Sequence, residues 1–280
     1  MRLMVTGAAG MLGRDMLSAA TDAGLAPIAL ARAELDITDG AAVDAAMSEH
    51  RPDIVVNCAA WTDVDGAEAQ EARALAVNGR GAGHVARAAR AQGAWTIQVS
   101  SDYVFDGAKR SPYLETDPPG PASAYGRSKL AGEVAVADAA LDRHTIVRSS
   151  WLFGAAGPCF PATILRVASE RDQLTVVDDQ VGCPTFTGHL APALVALARE
   201  PVPGIVHVAG GGQCSWFEFA GEVVARAGLG AAIVPGSTAE LGRPAPRPAY
   251  SVLRSARAGV PLLPAWQQGL EAFLAAGVPS

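Results

Sequence analysis

The 280-residue sequence has no C-x-x-C pair: Cys58, Cys159, Cys183 and Cys214 stand far apart, and Cys58 and Cys183 fall in apolar runs. That spacing gives neither a metal-ligand pattern nor a redox pair, and leaves reduced thiols in or near a core. The five histidines are scattered, with no H-E-x-x-H or comparable cluster, so no metal site is read. Basic charge is in deficit, 22 Lys and Arg against 28 Asp and Glu for a net charge of −6. A general nucleic-acid binder, which needs a positive surface to displace counterions from phosphate, is excluded. No segment offers about 18 uninterrupted apolar residues, so no membrane span is expected. The N-terminus carries one arginine and then a strand-like Leu3-Met4-Val5, without a signal-peptide pattern, and a cytoplasmic location is expected.

What is present is a globular composition, half hydrophobic, and a regular alternation. Short apolar runs, RLMVT, APIALA, DIVVNCA, AWTIQVSS and HTIVRSS, are separated by stretches of helical spacing. The stretches are MLGRDMLSAATDAG, GAAVDAAMSEH after Asp39, a long EARALAVNGRGAGHVARAARAQG and SAYGRSKLAGEVAVADAA. Strands that alternate with helices imply crossovers and a parallel sheet covered on both faces. The runs are continuous rather than alternating in polarity, as for strands buried on both sides. After Ser150 proline and glycine become frequent and the rhythm breaks. The expectation is therefore an α/β chain, with a doubly wound Rossmann-type parallel sheet over 1–150 and a smaller, loop-rich C-terminal substrate lobe over 151–280. GIVHVA, 204–209, is a candidate to return to the main sheet.

The first strand runs into Gly7-Ala8-Ala9-Gly10-Met11-Leu12-Gly13. In a dinucleotide loop Gly7 would make the tight turn, Gly10 would admit a pyrophosphate, and Gly13 would let the helix pack on the sheet. Met11 and Leu12 would open the helix, whose free N–H groups face the phosphates. A glycine trio alone is weak, but it sits at the first strand–helix junction, which is the context it needs. The second strand ends in Leu30-Ala31-Arg32-Ala33 without an acid at its tip. Arg32 is then a candidate for the 2′-phosphate of NADPH, with NADH as the other option; the competing reading is a solvated surface arginine. Asp36 and Ile37 are candidates to flank the adenine, and Ala59 and Ala60 to floor the cofactor.

Tyr125 and Lys129 stand four apart at the start of a helix and share one face. A phenol with a pKa of about 10 is a poor acid–base catalyst near neutrality. A nearby ammonium is expected to bring it down and to hold the nicotinamide ribose. Ser101 ends the fourth strand, at the sheet edge where such folds bind ligands, and its hydroxyl can steady a developing alkoxide.

With these segments in order, the chain resembles the extended short-chain dehydrogenase/reductase superfamily, and within it the dTDP-4-dehydrorhamnose reductase family, over essentially its whole length. The resemblance is carried by TGAAGMLG (6–13), ELDITD (34–39), PDIVVNCAAWTDVDGAE (52–68), VSSDYVFDG (99–107) and YGRSKLAGE (125–133). It continues through VRSSWLFG (147–154), VVDDQVGCPTF (176–186) and GIVHVAGGGQCSWFEFA (204–220). It implies reduction of the 4-keto group of a dTDP-4-keto-6-deoxy sugar by NADPH or NADH, with Tyr125 giving the proton, Ser101 binding the carbonyl and Lys129 tuning Tyr125. It also implies that Val64, Tyr103 and Trp151 surround the sugar; for Trp151 a core role competes. Arg247 is a candidate for the diphosphate. Ser101 stands where threonine is common, which keeps the hydroxyl. Where some relatives bind Mg²⁺ at a dimer interface, this chain offers only Asp15, His189, Gln267 or Gln268 and Glu271. No Mg²⁺ is expected, and monomer and homodimer both stay open. Two alternatives are a reductase for another nucleotide deoxysugar and a non-catalytic NADP-binding regulatory subunit.

Overall fold

A computed structural model describes residues 1–277. The elements follow in the order β1 (Leu3–Thr6), α1 (Met11–Asp22), β2 (Ile28–Leu30), α2 (Gly40–His50), β3 (Ile54–Asn57), α3 (Val64–Ala69) and α4 (Glu71–Ala74). A π-helical stretch, Leu75–Gly81, leads into α5 (Ala82–Ala91), β4 (Trp95–Ser101), α6 (Ala124–Ala140), β5 (His144–Ser149) and β6 (Leu152–Phe153). Then come α7 (Phe160–Glu170), β7 (Gln173–Val177), β8 (Val181–Gly182), β9 (Thr185–Phe186), α8 (Thr187–Arg199), β10 (Gly204–His207), β11 (Cys214–Ser215), α9 (Trp216–Arg226), β12 (Ala232–Gly236), α10 (Thr238–Leu241) and α11 (Trp266–Ala275).

Six parallel strands form the main sheet in the order β2-β1-β3-β4-β5-β10. Side chains alternate across it. Leu3 and Val5 of β1 join Met16 of α1 and Leu190 and Leu194 of α8 on one face. Met4 and Val55 join Val43 and Met47 of α2 and Val85 of α5 on the other. The fold is thus the Rossmann-like α/β arrangement that the alternation implied. Helix starts follow the capping chemistry of the sequence: the Asp39 carboxylate accepts from the N–H groups of Ala41 and Ala42, and the Ser123 hydroxyl from Gly126.

Three differences from the sequence reading have physical causes. The helix expected as one piece over 71–93 is broken by the π-helical stretch, which turns buried Asn78 toward its neighbours. A short helix, α3, forms ahead of it where none was read; Asp63 caps it by accepting from Gly66 N–H. The second half of the chain gives the main body α8 as well as β10, which pairs with β5 from Gly204↔Thr145 to His207↔Arg148. The remainder of that half has its own aromatic core of Phe153, Phe219, Trp266, Leu270 and Phe273. No described helix is long and apolar enough to cross a membrane.

Candidate active site

Strand order reverses between β1 and β3, and the crevice at the carboxyl ends of those strands is where open α/β sheets take ligands. The glycine loop leaves β1 at that point. Gly7 has φ of +66°, and a Cβ there would lie 2.6 Å from Ala59 N. A Cβ on Gly13 would lie 2.3 Å from the Gly7 carbonyl oxygen, so only glycine lets α1 start this close to the strand. Gly10 N–H donates to the Gly7 carbonyl at 3.0 Å and closes the turn. Gly10 is also the N-cap of α1, with no side-chain cap and no acid in the first turn. The N–H groups behind Met11 and Leu12 are therefore ready for an anion. This cradle fits a dinucleotide pyrophosphate.

Beneath it a polar ladder crosses the strand tips. Thr6 Oγ1 donates to Asn57 Oδ1 at 2.5 Å, Asn57 Nδ2 to Gln98 Oε1 at 2.7 Å, and Asn57 Oδ1 also accepts from Ala59 N–H at 3.3 Å. Asn78 pins the next loop: Trp61 N–H donates to Asn78 Oδ1, while its Nδ2 donates to the Trp61 carbonyl and to Ser128 Oγ. The Ala59-Ala60 floor is thereby tied to α6. Sequence reading missed Asn78, because its work is done through long-range contacts.

The adenine end departs from expectation in detail. Arg32 is exposed, with only a 3.8 Å ion pair to Asp36, so its guanidinium remains available. An acid does lie at the β2 tip: the Glu34 carboxylate accepts from Ala31 N–H at 2.9 Å. Asp36 spends one oxygen on the N–H and hydroxyl of its own neighbour Thr38, which holds its carboxyl below the usual range. Ile37 is buried among the α2 and α5 side chains.

At the carboxyl end of β4, Ser101 comes near Tyr125 at the start of α6, with Lys129 one helical turn further along. Ser101 is buried at the end of β4 and its hydroxyl donates to Asp102 Oδ1 at 2.9 Å. Its hydroxyl lies near enough to the Tyr125 phenol to favour the phenolate. Burial outweighs that influence, and with the charge of Asp102 opposing ionisation the phenol is pushed up to about 12. Lys129 is buried; its ammonium donates to the Val99 carbonyl at 2.7 Å, and burial draws its pKa down to about 8 against the pull of Glu133. Lys129 is not among the groups that shift the Tyr125 phenol, so the expectation that it lowers that pKa is corrected. Lys129 is engaged with the Val99 carbonyl, and Tyr125 keeps its proton.

Asp102 is a second residue that sequence reading missed. It is buried without a cationic partner, and burial raises its carboxyl to about 6. The signal was there in Ser-Asp-Tyr, a charged residue directly after a buried strand.

Among the residues expected around a sugar, Val64 opens α3 and Tyr103 stands edge-on to Tyr125, ring centroids 5.5 Å apart. Trp151 has a left-handed backbone, φ +47°, a strained state that costs about 1–2 kcal/mol. Its ring stacks on Trp216 at 3.6 Å, so one face serves packing and the residue remains only partly buried. Arg247, a candidate for the diphosphate, grips Asp65. Among the described residues no group of three or more His, Cys, Asp or Glu is arranged to hold a metal ion.

Residues 1–278 match the family described as RmlD substrate binding domain. The chain is 47% identical over 278 residues to a dTDP-4-dehydrorhamnose reductase of Streptomyces griseus, covering 96% of this chain and 91% of the relative. It is 45% identical over 219 residues to a dTDP-4-keto-6-deoxy-D-glucose reductase of Streptomyces niveus, covering 78% and 76%. Its structure is similar, with a TM-score of 0.95 at 37% identity, to a crystal structure of dTDP-4-dehydrorhamnose reductase from Bacillus anthracis in complex with NADP, covering 98% of this chain and 99% of that one.

Proposed function

The chain belongs to the RmlD substrate binding domain family, and on that premise we propose that it reduces the 4-keto group of a dTDP-4-keto-6-deoxy sugar with NADPH, turning dTDP-4-dehydrorhamnose into dTDP-L-rhamnose. The observation that carries the reading is the Tyr125 phenol at the start of α6 near the Ser101 hydroxyl at the end of β4, on the sheet edge that also carries a glycine-built phosphate cradle. When bound, NADPH supplies the hydride that reaches C4 of the sugar. The Ser101 hydroxyl donates a hydrogen bond to the 4-keto oxygen, which gathers negative charge as C4 is reduced. Tyr125 gives that oxygen its proton, so the product is an alcohol and the phenol is left to regain a proton from solvent. A raised phenol pKa suits this direction of reaction, because the acid must hold its proton until the oxygen becomes basic. Lys129, cationic below about pH 8, anchors the nicotinamide ribose. Arg32 receives the 2′-phosphate. Val64, Tyr103 and Trp151 shape the sugar pocket, and Arg247 meets the diphosphate.

A second reading keeps the chemistry and changes the sugar. It is favoured by 45% identity to a relative named for dTDP-4-keto-6-deoxy-D-glucose. The deciding experiment measures NADPH oxidation with a panel of dTDP-4-keto-6-deoxyhexoses and identifies each product by NMR. Turnover of the rhamnose precursor to dTDP-L-rhamnose is expected. Oxidation with none of the panel would end the proposal.

A further inference from the structure

Charged groups from distant parts of the chain meet beside the catalytic rings. Asp65, in the first turn of α3, accepts from both terminal nitrogens of Arg247: Nη1 to Oδ1 at 3.1 Å and Nη2 to Oδ2 at 2.9 Å. Ala245 N–H donates to the same carboxylate at 3.1 Å, and Arg243 Nη1 approaches it at 3.3 Å. The Ala245 carbonyl accepts from Arg247 Nη1 at 2.9 Å. Arg247 is thus held on one edge, and its side chain is 13% exposed against 55% for Arg243. A guanidinium carries five N–H donors in a rigid fork. Two go to Asp65 and one to Ala245. The Nε–H and the outer Nη2–H share the opposite edge and bond no described residue. That edge has the spacing of two oxygens on one phosphoryl group. The Tyr103 phenol feels the charges of both Arg247 and Asp65, and its ring stands against Tyr125, so the clamp lies near the proposed proton donor.

We propose that Asp65 is a positioning residue for the nucleotide sugar: it fixes the Arg247 guanidinium so that the free edge receives the substrate's diphosphate. The inference rests on the reading of the cleft as a nucleoside-diphosphate-sugar site. It also opposes simple electrostatics. Neutralising Asp65 leaves two arginines uncompensated, and charge alone would then bind an anion more tightly. Positioning requires the reverse.

The test is dTDP binding by calorimetry with NADPH present, together with KM and kcat for the keto sugar, in wild type, Asp65→Asn, Asp65→Glu and Arg247→Lys. Asp65→Asn is expected to weaken dTDP and raise KM about tenfold, the scale of one lost charge-assisted hydrogen bond. kcat should fall far less, and an unchanged NADPH affinity reports an intact fold. Arg247→Lys, which keeps the charge and loses the fork, should match it, and the double variant should lose no more than either alone. Partial recovery in Asp65→Glu is expected. Unchanged or tighter dTDP binding in Asp65→Asn overturns the positioning role while leaving the reductase reading intact. A wild type that binds NADPH and no dTDP overturns both.

Discussion

The two ends of the cleft are built by different means. The cofactor end is made mostly of backbone: glycines within seven residues, a bare helix N-terminus and a small-residue floor. The proposed sugar end is made of side chains that find each other across long stretches of chain, Asp65 with Arg247 and Trp151 with Trp216. A backbone site is indifferent to most neighbouring side chains and cannot tolerate an added Cβ, whereas a side-chain site can be retuned one residue at a time. One kind of end suits a common cofactor, the other a particular sugar.

Breaking the chemical junction of the two ends should have the largest effect. Tyr125→Phe removes the only proposed proton donor and should lower kcat at least about 100-fold with little change in NADPH affinity; near-normal turnover would remove Tyr125 from its role. Next comes the backbone end itself. Gly13→Ala drives a methyl to within 2.3 Å of the Gly7 carbonyl oxygen and should weaken NADPH about tenfold, or about 1.4 kcal/mol. dTDP binding should be spared, and an equal loss of both ligands would erase the distinction drawn here.

A pH titration sharpens the comparison without a mutation. Lys129 is cationic below its pKa of about 8 and neutral above it. kcat/KM, which reports groups of the free enzyme, should therefore fall about tenfold per pH unit above that point. Tyr125, pushed up to about 12, does not titrate in that range. A flat profile through pH 9 would show that the charge on Lys129 is not needed. The smallest effect is expected at the exposed margin: Arg32→Ala should weaken NADPH severalfold, about 1 kcal/mol, and leave NADH nearly unchanged. Equal losses of both cofactors in a binding titration would reject the 2′-phosphate contact.

How far the sequence could be read tracks the range of the interactions. The sheet strands, the capped starts of α2 and α6, and the loop from Gly7 to Gly13 are consequences of neighbouring residues, and each was legible. Tyr125 and Lys129 share a helix face by their spacing alone. Asn78 was illegible because a π-helical stretch directs it at Trp61 and Ser128, 17 and 50 residues away. Arg247 was a candidate cation for phosphate by its charge, but its engagement with Asp65, 182 residues distant, was not legible.

The amino-acid order alone determined the parallel α/β frame, the glycine turn after β1 and the helix face shared by Tyr125 and Lys129, because periodicity, capping and glycine stereochemistry act within a few residues. Only the tertiary structure decided the protonation balance at Asp102, Tyr125 and Lys129. Burial and the company of unlike charges are properties of the folded interior, and no local pattern of residues encodes the dielectric around them.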